Sequence, residues 1–376
     1  MNFNSLKFLP SLKSTNSSRP EKAGFFSCAD AVTAGVDIRS GAGHFPAMDD
    51  LSTQRPLSVG VHGVGDHARR TILPAIATSP ALRLAGLSTR NGDVLAEQCA
   101  AWSCPGWNSL DAMLEDGGLD AVFVATPIGR HFDDGRRVLE AGFHLWSEKA
   151  FTRNAQDAEA LVSLAAERDL AICVSLAPAY HAVFTRLQGL IRAGEIGGVR
   201  AVEAHFGFPH VAPEHSKYDA ESGGSALLDL GYYPVLLPAV LLDAFPRVAG
   251  AAMTSETGYA IDTAGACLMQ FPDGVTAAAQ WGYGRDYINE LTVVGETGAL
   301  TARAAFSKPQ HLPPTLTLRR QNQETAIEIG SGDQFVDMLA VFAEAARDPE
   351  AARRMREIAL AHQVLLEQIA SMSVSG

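Results

Sequence analysis

The run Leu57 to Arg70, LSVGVHGVGDHARR, limits what this chain can fold into more than any other stretch. It starts as an apolar strand, passes through a glycine turn and opens a helix. Gly63, Gly65 and Ala68 form G-x-G-x-x-A, a dinucleotide-binding fingerprint with alanine in its third place. Each position has a physical task. Gly63 allows the tight exit from the strand, Gly65 carries no side chain to block a pyrophosphate, and Ala68 lets the helix pack close to the sheet. Between and beside them, Val64, Asp66 and His67 present backbone N–H groups to the phosphates at the positive end of the new helix.

Strands and helices alternate from Leu57 onward. Apolar strands are expected at Leu82–Leu87, Ala121–Ala125, Phe143–Trp146 and Leu170–Leu176, with helices between them. Runs apolar on both faces and separated by helices predict a doubly wound parallel sheet, an α/β Rossmann domain. After Leu176 the pattern changes to a long apolar helix near residues 223–242, then consecutive strands with short turns such as Pro272-Asp273-Gly274. These predict a second α/β domain with a large open, mainly antiparallel sheet. The expected division is a leader over 1–55, a dinucleotide-binding domain over 56–177, and a substrate-binding and oligomerisation domain over 178–376. The leader is rich in Ser, Thr, Asn, Gly and Pro without apolar periodicity, and reads as disordered or as an arm on a neighbouring subunit.

Composition excludes whole classes of partner. The 376 residues carry 30 basic and 42 acidic side chains, a formal charge of −12 that repels nucleic acid and anionic lipid. No apolar run is long enough to span a bilayer. Five scattered cysteines, an odd number without C-x-x-C spacing, suggest reduced thiols, no zinc site and a cytoplasmic location. His205, His210 and His215 recur every five residues, which fits neither a strand face nor a helix face, so no metal is assigned.

The candidate chemistry lies at the carboxyl ends of strands, where such sheets bind ligands. Ser88, Thr89 and Arg90 stand where a ribose-binding carboxylate is usual; two hydroxyls and a guanidinium suit a 2′-phosphate, so NADP(H) is preferred and NAD(H) is the alternative. A solvated turn is the bland reading of the same residues. Ala125-Thr126-Pro127 ends the next strand, and His131 faces either the nicotinamide or solvent. Glu148-Lys149 follows another strand. A lysine beside a nicotinamide is expected to have a lowered pKa through desolvation and positive charge, as proton transfer near neutrality requires, whereas an exposed Glu-Lys ion pair is the plain alternative. Asp229 and Tyr233, four residues apart on the apolar helix, share a face and make a carboxylate–phenol pair suited to proton transfer or to a structural network.

Taken in order, these segments resemble the Gfo/Idh/MocA oxidoreductase family. The likeness adds Ala193-Gly194-Glu195-Ile196-Gly197, Gly223-Gly224-Ser225 leading into Asp229 and Tyr233, Phe271-Pro272-Asp273-Gly274 and Val294-Gly295-Glu296-Thr297-Gly298, and covers the chain from Leu57 on. It implies hydride transfer between a nicotinamide and a carbonyl or hydroxyl of a sugar-like cyclic polyol. It also implies a homodimer or homotetramer formed through the C-terminal sheet. Lys149 matches the lysine of the family's glutamate-lysine-proline motif, Asp229 its aspartate, and Tyr233 its histidine-or-tyrosine acid/base. Ala150 departs from the usual proline, which puts the placement of Lys149 in question, and Ala179 stands where many relatives have an arginine. Tyr233, with Phe206-Gly207-Phe208-Pro209 and Tyr287-Ile288-Asn289-Glu290, is most similar to nucleotide-sugar 3-ketoreductases, dihydrodiol dehydrogenases and glucose–fructose oxidoreductase. Two other expectations stand beside the reductase: a non-catalytic NAD(P)-binding sensor of the same fold, and an enzyme whose tightly held NADP shuttles hydride between two sugars.

Overall fold

The computed structural model describes residues 55–308 and 312–375; the leader expected over 1–55 lies outside the described residues except for Arg55. Strand β1 (Leu57–His62) is buried along its whole length, and β2 (Leu82–Ser88), β3 (Gly106–Trp107), β4 (Ala121–Val124), β5 (His144–Ser147) and β6 (Ile172–Val174) join it. All pair in parallel, in the order β3-β2-β1-β4-β5-β6. β1 therefore sits at the centre, and the chain reverses direction across the sheet beside its carboxyl end, the usual place for a ligand crevice. Intervening helices begin on side-chain caps: Asn91, Ser109 and Asn154 accept from backbone N–H groups of α2 (Gly92–Trp102), α3 (Leu110–Asp116) and α5 (Ala155–Glu167). The first helical run is a π-helical turn, Ala68–Ile72, leading into α1 (Leu73–Thr78). Between α3 and α5 lies α4 (Ile128–Glu140), and α6 (Ala182–Arg192) follows β6.

The second sheet has nine strands: β7 (Val199–Phe208), β8 (Arg247–Thr254), β9 (Ala264–Gln270), β10 (Thr276–Tyr283), β11 (Ile288–Gly295), β12 (Ala299–Arg303), β13 (Thr315–Arg320), β14 (Gln323–Ile327) and β15 (Ser373–Ser375). Its neighbours pair antiparallel except β7 with β10 and β8 with β15. Side chains alternate: Val202, Ala204 and Phe206 of β7 are buried, whereas Glu203 between them faces solvent. The buried face packs on α7 (Tyr232–Leu242), which is apolar around its whole circumference and is enclosed on all sides.

The sequence boundary near residue 177 assigns every later element to the second half. In the structure the last helices, α8 (Gln334–Ala345) and α9 (Pro349–Met372), return to the first sheet. Val336, Leu339, Phe342 and Met355 share one buried core with Val59, Ile72 and Trp146, and the Phe342 and Trp146 rings lie 5.7 Å apart. Among the described residues no helix is long and apolar enough to cross a membrane.

Candidate active site

The glycine turn works as its sequence suggests. Gly63 has φ +93°, and a Cβ placed on it would lie 2.7 Å from the Ala125 carbonyl carbon, so position 63 admits only glycine. A Cβ on Gly65 would meet no protein atom within 4 Å and would project into open space. Ala68 is buried against the sheet, and the Gly65 carbonyl accepts from Arg69 N–H at 3.0 Å.

That open space joins two cavities. Gly65, Asp66, Ala125, Thr126 and Pro127 line both. The smaller, of about 440 Å³, is also walled by Gly63, Val64, Thr89 and Arg90; the larger, of about 630 Å³, by His67, Glu148, Lys149, Asp229 and Tyr233. A side-chain-free cradle at Gly65, with hydroxyl and guanidinium groups at one end and proton-bearing groups at the other, fits an extended dinucleotide.

Electrostatics concentrate in the larger cavity. Lys149 Nζ donates to Asp229 Oδ1 at 2.6 Å and to the Asp229 carbonyl at 2.7 Å. Asp229 Oδ2 accepts from Lys217 Nζ and, at 3.0 Å, from the Tyr283 hydroxyl. Burial opposes ionisation of Asp229, yet the two ammonium groups outweigh it and hold the carboxyl far below its ordinary range. Lys149 moves the other way from expectation. Desolvation would lower its pKa, but the attraction of Asp229, with Tyr233 and Glu148, outweighs burial and raises it, so the residue is a firmly charged ammonium. Glu148, which burial alone would push up, is brought down to about 2 by His67 and Lys149; its Oε1 lies 3.2 Å from His67 Nε2 and accepts from Ser175 Oγ at 3.1 Å. Desolvation also depresses His67, and the Glu148 carboxylate more than reverses this. The Tyr233 ring stacks on Phe306, and Lys149 Nζ lies 5.2 Å from its centroid. Burial raises the Tyr233 phenol, Lys149 opposes that rise, and Glu148 and Asp229 add to it.

Most of the residues singled out from sequence meet here; three do not, and one of these, Ala68, only packs beneath the turn. His131 reaches neither the cavity nor solvent: it is buried, with Nδ1 2.8 Å from the Ala150 carbonyl and Nε2 2.7 Å from the Thr126 carbonyl, tying two strand-end loops together. Ser88 is wholly buried with its hydroxyl 3.1 Å from His62 Nδ1, which leaves Thr89 and Arg90 to face the smaller cavity. The Lys149–Ala150 peptide is cis although residue 150 is not proline, and Lys149 still reaches Asp229. Asp229 and Tyr233 share the cavity wall across a π-helical turn, Leu227–Gly231, that precedes α7; such turns often mark functional sites. Sequence reasoning missed Lys217 and Tyr283, which come from a 3₁₀ turn and the end of β10, where no motif or periodicity points at Asp229. It also missed Asp134, fully buried under the turn, where Thr126 Oγ1 donates at 2.8 Å and Arg130 Nη2 at 2.9 Å. His210 and His215 serve the nearby loop: His210 Nδ1 lies 3.0 Å from the Tyr218 hydroxyl, and the His215 ring accepts from Lys217 N–H.

A parallel six-stranded sheet with a glycine cradle, joined to a second domain whose π-helical turn and buried helix α7 supply an acid and a phenol, defines a two-domain nicotinamide oxidoreductase, and this chain belongs to the Gfo/Idh/MocA family. Residues 57–176 match the oxidoreductase family NAD-binding Rossmann fold, and residues 184–301 match the GFO/IDH/MocA C-terminal domain. The chain is similar to a dTDP-3,4-didehydro-2,6-dideoxy-alpha-D-glucose 3-reductase of Streptomyces violaceoruber, 34% identical over 296 residues, covering 78% of this chain and 86% of the relative. It is also similar to a D-xylose 1-dehydrogenase (NADP(+)) of Haloferax volcanii, 23% identical over 84% of this chain and 97% of that one. A 3-ketoreductase from Actinomadura kijaniata, solved with NADP and TDP-benzene, superposes with a TM-score of 0.81 at 28% identity, covering 85% of this chain and 99% of the other.

Proposed function

We propose that this chain uses NADPH to reduce a keto group on a nucleotide-linked sugar, with Tyr233 as the proton donor. The observation that carries this reading is the convergence of Lys149, Asp229 and Tyr233 on one cavity wall, continuous with the Gly65 cradle. Gly63, Val64, Gly65, Asp66 and His67 would hold the diphosphate, and Thr89 and Arg90 would favour a 2′-phosphate. Phe206 and Phe208 line the same cavity and offer apolar faces to a sugar ring. When bound, the cofactor supplies hydride to the carbonyl carbon. The Tyr233 hydroxyl gives its proton to the carbonyl oxygen, and the Lys149 ammonium stabilises the charge that develops there and the tyrosinate left behind. Asp229 orients the ammonium. The phenolate regains a proton from solvent, so one carbonyl, one hydride and one proton yield one alcohol.

The relatives named above support a sugar or nucleotide-sugar substrate, and the reductase similarity favours a dTDP-linked 3-keto sugar. We infer a reducing compartment from the odd number and scattered spacing of the five cysteines in the sequence. Self-association is assigned to the solvent face of the second sheet, where Leu268 of β9 is exposed. The test is to mix the full chain with NADPH and a panel of dTDP-linked and free keto sugars and follow loss of NADPH absorbance. Turnover of a dTDP-linked 3-keto sugar is expected. Tight NADPH binding without turnover of any panel member would instead favour a sensor.

A further inference from the structure

Lys217 stands in the wall of the larger cavity, on the 3₁₀ turn Ser216–Tyr218, with its ammonium 5.5 Å from the centre of the Phe208 ring. Its Nζ bonds Asp229 Oδ2, while Lys149 Nζ takes Oδ1 and the main-chain oxygen of the same residue. One carboxylate is therefore divided between two ammonium groups. An ammonium has three protons, and Lys149 commits two of them to Asp229. The third remains for the cavity and the Tyr233 side.

The charged and titratable groups around this point are Lys149, Lys217, Asp229, Glu148, His67, His215 and the Tyr218, Tyr233 and Tyr283 phenols. Setting aside the imidazoles, two ammonium groups balance two carboxylates. Without Lys217 a single ammonium would face both carboxylates, an arrangement that disfavours any anion forming on Tyr233 or on a substrate oxygen.

We propose that Lys217 is a positioning residue that holds Oδ2 of Asp229 and thereby keeps the Lys149 ammonium from being drawn entirely onto that carboxylate. Its observed polar contact is with Asp229, and in this role it takes no direct part in hydride or proton transfer. This role builds on the reductase reading above, in which Lys149 serves Tyr233 and the developing alkoxide.

The test measures Lys149 directly. The full chain is treated with acetic anhydride at fixed mildly alkaline pH, and acetylation of Lys149 is quantified by peptide mass spectrometry. Lys217→Met is expected to slow acetylation of Lys149 by about tenfold, because Asp229 then holds its proton more tightly. Lys217→Arg should leave the rate within about twofold, since the charge is kept. Should Lys217→Met fail to fold, Lys217→Gln repeats the measurement with a hydrogen bond but no charge. An unchanged Lys149 rate in a folded, NADPH-binding Lys217→Met or Lys217→Gln protein overturns the proposal. The reductase reading fails separately, if Tyr233→Phe keeps full turnover whatever the labelling shows.

Discussion

The ammonium of Lys149 and the carboxylate of Asp229, 80 residues apart in the chain, meet at 2.6 Å in the wall of the larger cavity. Both side chains are largely shielded from solvent, so each needs the other to remain charged. Asp229→Asn leaves the Lys149 and Lys217 ammonium groups side by side with only a neutral amide between them. It is expected to destabilise the fold by about 2–4 kcal/mol in urea unfolding and to cut keto-sugar turnover by at least about a hundredfold.

Gly63 and Gly65 should fail in different ways. Gly63→Ala forces a side chain onto a φ of +93° and into the Ala125 backbone, and should destabilise the fold by about 1–3 kcal/mol. Gly65→Val points into open cavity, so thermal unfolding should hardly change. NADPH affinity, read by fluorescence titration, should nonetheless fall by at least about tenfold.

Tyr233→Phe keeps the ring that stacks on Phe306 and removes only the hydroxyl. The variant should bind NADPH as the wild type does and melt within a few degrees of it. Steady-state kcat should drop by about a hundredfold to a thousandfold, the scale of a lost proton donor.

Asp134 offers a test of pH dependence. Burial would raise its pKa, but His62, Arg130 and Thr126 bring it down to about 2. A depressed carboxylate contributes stability above its unfolded value and loses it as pH falls through the folded one. Wild type should therefore exceed Asp134→Asn by at most about 2 kcal/mol near neutrality, with the gap closing as pH falls from about 4 toward 2. Denaturant titrations of both proteins across that range decide it; a gap that widens on acidification would contradict the assignment.

Arg90 should govern the choice of cofactor. It lines the smaller cavity beside Thr89, with no carboxylate at the end of β2 to repel a phosphate. Arg90→Ala is expected to weaken NADPH about tenfold or more while changing NADH affinity less than threefold. Parallel titrations with the two nucleotides measure the ratio.

How much of this was legible in the sequence depends on the range of the interaction. The glycine turn, the parallel strands and α7 are written locally, as burial on both faces and as apolar runs. β8 (RVAGAAMT) and the solvent-facing β14 (QETAI) lack that signature, since alanine-rich or polar strands take their conformation from neighbours in the sheet. The same holds within the site. Lys149, Asp229 and Tyr233 lie in recognisable motifs, whereas Lys217 and Tyr283 are known only by what they touch. The charge state of Lys149 depends on such a contact: the strand end that desolvates it is visible in the sequence, but the carboxylate that raises its pKa in this structure arrives from another element. His131 likewise sits in a recognisable motif, but its two carbonyl partners emerge only when the loops after β4 and β5 come together.

The return of α8 and α9 to the first sheet bears on how the protein is made. Trp146 lies in the fifth strand, yet Phe342, which covers it, leaves the ribosome almost two hundred residues later. The nucleotide-binding half must therefore wait, with one flank bare, until translation is nearly finished. Early termination before residue 334 would release a chain with an uncovered apolar flank, a target for chaperones or proteolysis.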